Sequence, residues 1–301
     1  MARRGAFRNR LKRLLIGLPL AFVLLTTAQV LVLKWIDPVG SSFMAGRMLD
    51  AWMDGDWRYR VDYRWRDDAA ISRQLPLAMV AAEDQRFPEH HGFDIEAMKK
   101  AYQGNQRGRK IRGGSTISQQ LAKNLFLWSG RSYVRKGLEA WYTLLIETFW
   151  SKRRILEVYV NVVEFGDGVY GAEAAARRYY GVSAAKLGPA QAARLAAVLP
   201  NPKKYSVAKP GPYVQRRSRG IQRQMQRLDR AGLERGEGVG RQHALGLEQF
   251  ARRGGLGHAL RGQVDIPPAG EAVFEIPLAL AVADEDELGH CGSVTVGSGV
   301  R

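Results

Sequence analysis

Residues 113–127 read Gly-Gly-Ser-Thr-Ile-Ser-Gln-Gln-Leu-Ala-Lys-Asn-Leu-Phe-Leu. At 100° per residue, Thr116, Gln120 and Lys123 fall within about 60° of one another, while Ile117, Leu121 and Leu125 take a different, apolar face. This is an amphipathic helix with Ser115 as its cap. The same period extends outward on both sides. Upstream, residues 75–87 read as a helix beginning near Pro76, and Asp94 is placed as an N-cap for residues 95–103. Downstream, residues 133–150 carry Leu138, Trp141, Leu145 and Phe149 at helical spacing. Residues 151–163, 171–180 and 189–199 continue the pattern, the last with Pro189 in its first turn, and the basic stretch 212–228 closes the set. Only residues 61–66, alternating Val61, Tyr63 and Trp65, resemble a strand. The predicted body is mostly α, without internal repeats or parallel-sheet alternation.

Composition narrows the class. The chain has 301 residues, 46% hydrophobic and 25% charged, which excludes wholesale disorder and collagen-like repeats. A lone Cys291 excludes an intramolecular disulfide framework and a cysteine-based zinc cluster. With 46 Lys+Arg against 29 Asp+Glu the net charge is +17, pointing to nucleic acid, anionic membrane or phosphate-bearing substrates. Residues 231–301 hold 10 acidic and 6 basic residues and 14 Gly, so the break near residue 230 marks an atypical, weakly ordered Gly-rich tail. Within it, residues 264–282 are the best candidate for local strands, and the acidic run 284–287 reads as a solvated stretch.

The amino end predicts a membrane anchor. Residues 1–13 contain six basic residues and no acid, and residues 14–33 then run twenty residues without a charge. That length crosses a bilayer as a helix. A basic segment at 1–13 ahead of a transmembrane segment at 14–36 places the amino terminus in the cytoplasm. A cleaved signal peptide ending near Thr26-Thr27-Ala28 is the rival reading, and the uncharged run continuing past that point favours a retained anchor. Residues 37–59 form a membrane-proximal segment. Its apolar members Phe43, Met44, Met48, Leu49, Trp52, Met53 and Trp57 either rest in the membrane interface or pack on the body; both readings stand. The body is assigned to residues 60–230.

Acids at the end of an apolar helix, Glu83 and Asp84, lie where a core meets a cleft. Partial desolvation there would raise a carboxyl pKa towards values suited to accepting a proton; as surface acids they would only cap a turn. The Gly-Gly lead-in at 113–114 places a helix start and its N–H groups where an anion is favoured, with Lys123 on the same polar stripe. Arg135–Glu139 and Lys136–Glu139 have helical ion-pair spacing, which fits either a solvated helix face or a cation cluster around a second carboxylate. The Gly-rich loops at 112–115 and 165–168 fit no phosphate-cradling nucleotide motif. His90-His91 lacks a metal-ligand partner at suitable spacing.

Five ordered stretches, EDQRFPEHHGFD, GGSTISQQLAKNLFL, RSYVRKGLEAWYTLLIE, SKRRILEVYVNVVEFGDGVYGAEAAARRYYG and AARLAAVLPNPKKY, resemble the motifs of peptidoglycan glycosyltransferases over roughly residues 60–228. With an amino-terminal anchor and no room for a transpeptidase domain, the chain is most similar to the monofunctional biosynthetic peptidoglycan transglycosylases. The resemblance implies a mostly α, lysozyme-like, two-lobed fold, and polymerisation of lipid II into β-1,4-linked glycan with inversion and release of the lipid diphosphate. It implies Glu83 as the base and Glu139 as a second catalytic carboxylate. Asp84, Phe87, His90, Ser115, Thr116, Gln120, Lys123, Asn124, Arg135 and Lys136 are implied in substrate binding, Lys123 against phosphate. A divalent metal ion, Mg or Mn, is often used in the family, and no organic cofactor is implied. The implied partners are lipid II, the growing glycan chain, the membrane, and other proteins of cell-wall synthesis and division, with no nucleic acid. The implied location is the bacterial inner membrane, with the catalytic domain in the periplasm. A lysozyme-like lytic enzyme is the alternative, although it does not need the cations Lys123, Arg135 and Lys136.

Overall fold

The computed structural model describes residues 2–99 and 114–234, of which residues 2–12, 14 and 231–234 are described in backbone only. The tail from 235 onward, the end of the helix expected at 95–103 and the lead-in glycine Gly113 lie outside the described residues. What is described is mostly helical. In chain order the helices are α1 (Ala2–Trp35), α2 (Ser42–Met53), α3 (Gln74–Glu83), α4 (Ile117–Phe126), α5 (Tyr133–Phe149), α6 (Lys152–Val162), α7 (Ala172–Tyr180), α8 (Pro189–Val198) and α9 (Pro212–Glu234). A helical turn at 95–99 starts after Asp94, whose carboxylate accepts the Ala97 N–H at 2.9 Å, as its capping role predicts.

The apolar stretch Leu15–Trp35 of α1 is long and apolar enough to cross a membrane. Its C-terminal half is fastened to the body. Trp141 donates to Thr26 Oγ1 at 3.0 Å, Tyr142 to Gln29 at 3.0 Å, and Trp150 to the Val30 carbonyl at 2.8 Å. Arg154 donates to the Leu33 and Ile36 carbonyls and pairs with Asp37 at 2.9 Å. Leu15, Ile16, Leu18, Leu24 and Leu25 stay exposed. The membrane-proximal apolar residues divide between the two readings: Met44 is buried and Phe43 packs on the core, whereas Leu49, Met53 and Trp57 face outward.

The body places two helices where the site needs them. α3 packs chiefly on α8 and α9, and α4 packs on α5, α6 and α2. Three expectations need correcting. The helix expected over 75–87 ends at Glu83, because Asp84 turns out of it (φ −157°, ψ 78°) and its carboxylate accepts the Ile117 N–H at 3.0 Å. Ser115 is not the cap of α4. Thr116 is: its hydroxyl accepts the Gln119 N–H while the Gln119 side chain accepts the Thr116 N–H at 3.0 Å. That reciprocal box requires Glu or Gln three residues on, which Thr116 has and Ser115 does not. Finally, the single strand expected at 61–66 shrinks to β1 (Asp62–Tyr63), and two further short strands exist, β2 (Glu164–Gly166) and β3 (Val169–Tyr170). β1 runs parallel to β3 with Asp62 opposite Val169, and β2 is antiparallel to β3. Strands of two or three residues are too short for alternation to show. The Gly-rich loop at 165–168 is therefore a hairpin turn. The chain then enters α7 through Gly171 (φ +83°), where a Cβ would lie 2.3 Å from the Asn161 carbonyl.

Candidate active site

Glu83 is the last residue of α3, and its side chain is 8% exposed. One carboxylate oxygen accepts the Gln120 amide at 3.0 Å and the other accepts the Arg217 guanidinium at 2.8 Å. Gln120 is fixed in that orientation because its carbonyl oxygen accepts the hydroxyl of buried Tyr159 at 2.7 Å. Both neighbours present donors to Glu83, so its oxygens are held as acceptors. Lys123, one turn along α4 from Gln120, is half-buried and makes no hydrogen bond or ion pair among the described residues. Asn124 and Ser115 are likewise half-buried on this helix and its approach.

The next segment forms a buried frame. Asp84 accepts Nε2 of His90 at 2.9 Å as well as the Ile117 N–H, tying the loop to the start of α4. Buried Phe87 meets the His90 ring edge-on at 6.2 Å and carries the Lys152 ammonium 4.5 Å over its face. Lys152 also donates to the His90 carbonyl at 2.6 Å and to Glu147 at 2.8 Å, and Glu147 accepts the Ser118 hydroxyl. The Thr116 hydroxyl donates to the Gly92 carbonyl at 2.6 Å. Gly92 itself is required: its φ is +86°, and a Cβ would lie 2.8 Å from Thr143 and 3.0 Å from Glu147. Asp84, Phe87, His90 and Thr116 therefore act on the shape of the loop, and all four are buried.

α5 brings the third group. Glu139 is 3% exposed and bonded by Arg135 at 3.1 Å and by Lys136 at 2.7 Å, with Arg135 itself 4% exposed. The reading of these residues as a solvated helix face is thereby excluded. Arg135, Lys136, Glu139, Thr143 and Glu147 fall within an arc of about 120° on α5. Since Gly92 lies against Thr143 and Glu147, the cation–carboxylate cluster sits one turn along the face that also supports the 84–92 loop. The structure thus brings Glu83, Gln120 and Lys123 to one wall, and joins it through α4 and the loop to Arg135, Lys136 and Glu139.

Arg217, Tyr159, Ser118, Glu147 and Lys152 were not singled out from sequence. For Arg217 a signal existed. Val214, Ser218, Ile221 and Met225 form the buried stripe of α9, and Arg217 is the arginine nearest that stripe, about 40° from Ile221. Arg216, Arg219, Arg223, Arg227 and Arg230 all point outward. Among the described residues the expected divalent cation finds no protein cage: no three His, Cys, Asp or Glu side chains converge, and His90 and Asp84 bind each other.

The family model described as Transglycosylase matches residues 52–226. The chain belongs to the transglycosylase family. It is 58% identical over 221 residues to the biosynthetic peptidoglycan transglycosylase of Xanthomonas oryzae pv. oryzae (strain KACC10331 / KXO85), covering 73% of this chain and 90% of that protein. To the protein of the same name from Xylella fastidiosa (strain M23) it is 58% identical over 217 residues, covering 72% and 89%. To that of Xanthomonas campestris pv. campestris (strain B100) it is 56% identical over 224 residues, covering 74% and 91%. Glu83, Lys123 and Glu139 all lie within the stretch the transglycosylase model matches.

Proposed function

We propose that the chain is a peptidoglycan glycosyltransferase that polymerises lipid II into β-1,4-linked glycan, with Glu83 as the base. The observation that carries this is a buried acceptor carboxylate, Glu83, held by Gln120, with the ammonium of Lys123, which has no partner among the described residues, one turn beyond Gln120 on the same helix. An acceptor 4-hydroxyl is a poor nucleophile near neutral pH and needs a general base. Glu83 takes that proton as the oxygen attacks the donor anomeric carbon from the face opposite the diphosphate. One C–O bond forms as the other breaks, so the centre inverts and no covalent sugar–enzyme intermediate arises. The leaving diphosphate gains charge in the transition state, where cations stabilise it most. Lys123 is suited to that role, with the Arg135–Lys136–Glu139 cluster shaping the field beside it. Gln120 and Arg217 position Glu83, while Asp84, Phe87, His90, Ser115, Thr116 and Asn124 set the walls. A divalent cation, Mg or Mn, would supply further positive charge to the leaving diphosphate; among the described residues no three His, Cys, Asp or Glu side chains converge to hold one.

The apolar helix at Leu15–Trp35 and the basic residues before it support an inner-membrane anchor with the amino terminus in the cytoplasm and the catalytic domain in the periplasm. Confinement to the surface that also holds the lipid-linked substrate raises effective concentration. The test is incubation of the full chain with labelled lipid II, with Glu83→Gln as control. Glycan growth that the substitution abolishes supports the reading. Shortening of finished strands without growth would establish the lytic alternative instead.

A further inference from the structure

α9 presents a strongly charged outward face that the site does not use. Arg216, Arg219, Arg223, Arg227 and Arg230 are all exposed. At 100° and 1.5 Å per residue they form a stripe about 80° wide and about 21 Å long. It lies opposite the buried stripe of Val214, Ser218, Ile221 and Met225, so the guanidiniums point away from the body. The one acid on residues 212–230, Asp229, pairs with Arg73 at 3.7 Å. Arg227 donates to Gln224 at 3.3 Å, and the other four arginines make no hydrogen bond or ion pair among the described residues. Like charges at i,i+3 and i,i+4 spacing destabilise a helix, and a polyanion laid along the stripe removes that penalty.

An aromatic platform adjoins the stripe. Tyr213, 37% exposed, stacks on Tyr205 with ring centroids 4.6 Å apart and an interplanar angle of 21°. Tyr213 sits about one turn before Arg217, about 40° around α9 from it and about 60° from Arg216. It therefore lies between the flank that carries Arg217 to Glu83 and the outward stripe. The C–H face of a sugar ring packs against an aromatic face while its hydroxyls stay in water. Guanidiniums pair with carboxylates through two parallel N–H···O bonds. A polymer of sugars that carries peptide carboxylates offers both groups, whereas an acidic protein segment or an anionic bilayer would use the arginines alone. α1 packs chiefly on α5, and α9 on α8 and α3, so the part of the body that α1 holds is not the part that bears the stripe.

We propose that Tyr205, Tyr213 and the arginine stripe of α9 form a docking surface for a peptidoglycan strand outside the catalytic groove. The sugars rest on the tyrosine pair, and the carboxylates of the stem peptides lie along the arginines. The inference rests on the lipid II reading above for the identity of the strand, and it adds a second binding site beside the one where sugars react.

The test measures binding, not turnover. Fluorescent, uncross-linked peptidoglycan strands are titrated with the full chain in detergent micelles, and anisotropy is read. The triple variant Arg219→Gln, Arg223→Gln, Arg227→Gln should bind about tenfold more weakly than the wild type, each exposed charge pair contributing about twofold. Tyr213→Ala, checked by thermal melting, should weaken binding at least about twofold. Strands whose carboxyl groups have been converted to amides should bind the wild type about as weakly as native strands bind the triple variant, and the triple variant should not distinguish the two strands. Unchanged affinity in the triple variant would overturn the proposal, as would a wild type that binds amidated strands as tightly as native ones. Displacement of the strand by polyglutamate as effectively as by unlabelled strand, at equal carboxylate concentration, would mark the stripe as a surface for acidic protein and overturn it too. Should the wild type bind strands as expected yet fail to elongate lipid II, the polymerase reading fails and the docking surface stands.

Discussion

The bond between Arg217 and Glu83 offers the sharpest perturbation. It is a 2.8 Å charge-assisted contact between a guanidinium 27% exposed and a carboxylate 8% exposed. Hydrogen bonds to charged groups contribute about 1.5–3 kcal/mol, and the partly solvated arginine places this one near the lower end. If that energy holds the base in position, Arg217→Met lowers kcat/KM about tenfold to thirtyfold, since 1.36 kcal/mol corresponds to a factor of ten. With Glu83 as the proposed base, Glu83→Gln costs on the order of 10²–10⁴ in rate. Its amide can keep an oxygen towards Arg217, so its stability loss is about one buried hydrogen bond, roughly 1 kcal/mol. In the Glu83→Gln background there is no base left to position, so Arg217→Met should then cost less than about twofold. The cycle is thus non-additive by about 1.5 kcal/mol. Initial rates of lipid II polymerisation by the four proteins, each checked by thermal melting, measure it. Equal losses from Arg217→Met in both backgrounds would mean that Arg217 acts independently of Glu83, and the positioning role would be refuted.

Other outcomes follow from single contacts. Lys123→Ala should lower kcat/KM at least about tenfold while stability changes by no more than about 0.5 kcal/mol, because Lys123 has no partner to lose among the described residues; a melting curve beside the rate assay checks both. Gly92→Ala should destabilise by more than about 1 kcal/mol, since φ +86° is unfavourable for alanine and the added methyl meets Thr143 at 2.8 Å; calorimetry reads the shift. Glu173 is fully buried, and burial by itself raises its pKa. The Ala184 N–H and the guanidiniums of Arg177 and Arg66 outweigh this and hold the carboxyl at about 2, against an ordinary 4.5. A lowered folded-state pKa stabilises above pH 4.5, and that stability is lost as pH falls through about 2. Glu173→Gln should therefore flatten the stability profile across that window, as acid titration followed by circular dichroism would report.

Much of the site was legible in the linear chain because its members act locally. Arg135, Lys136 and Glu139 are spaced for helical ion pairs, whereas the capping box of Thr116 and Gln119, though just as local, was read one residue early at Ser115. What periodicity could not convey was burial: the same ion-pair spacing occurs on solvated helices, and only the 3% exposure of Glu139 removes that reading. The end of α3 was misplaced by four residues because the helix is stopped by a contact with Ile117, 33 residues further on. The β2–β3 hairpin escaped notice because it draws its order from partners elsewhere, not from alternation.

The amino-acid order by itself determined the helical class and the membrane-length apolar helix, and it marked Glu83, Lys123, Arg135, Lys136 and Glu139 as candidates for the site. Those depend on composition and on spacings within one or two turns. Only the folded body decided that Arg217, 134 residues after Glu83, reaches its carboxylate, that Tyr159 fixes Gln120, and that Trp141 fastens α1 to the body through Thr26. Such contacts arise from the packing of α3 against α9, of α4 against α6 and of α1 against α5, and packing between distant helices leaves no period in the chain to read.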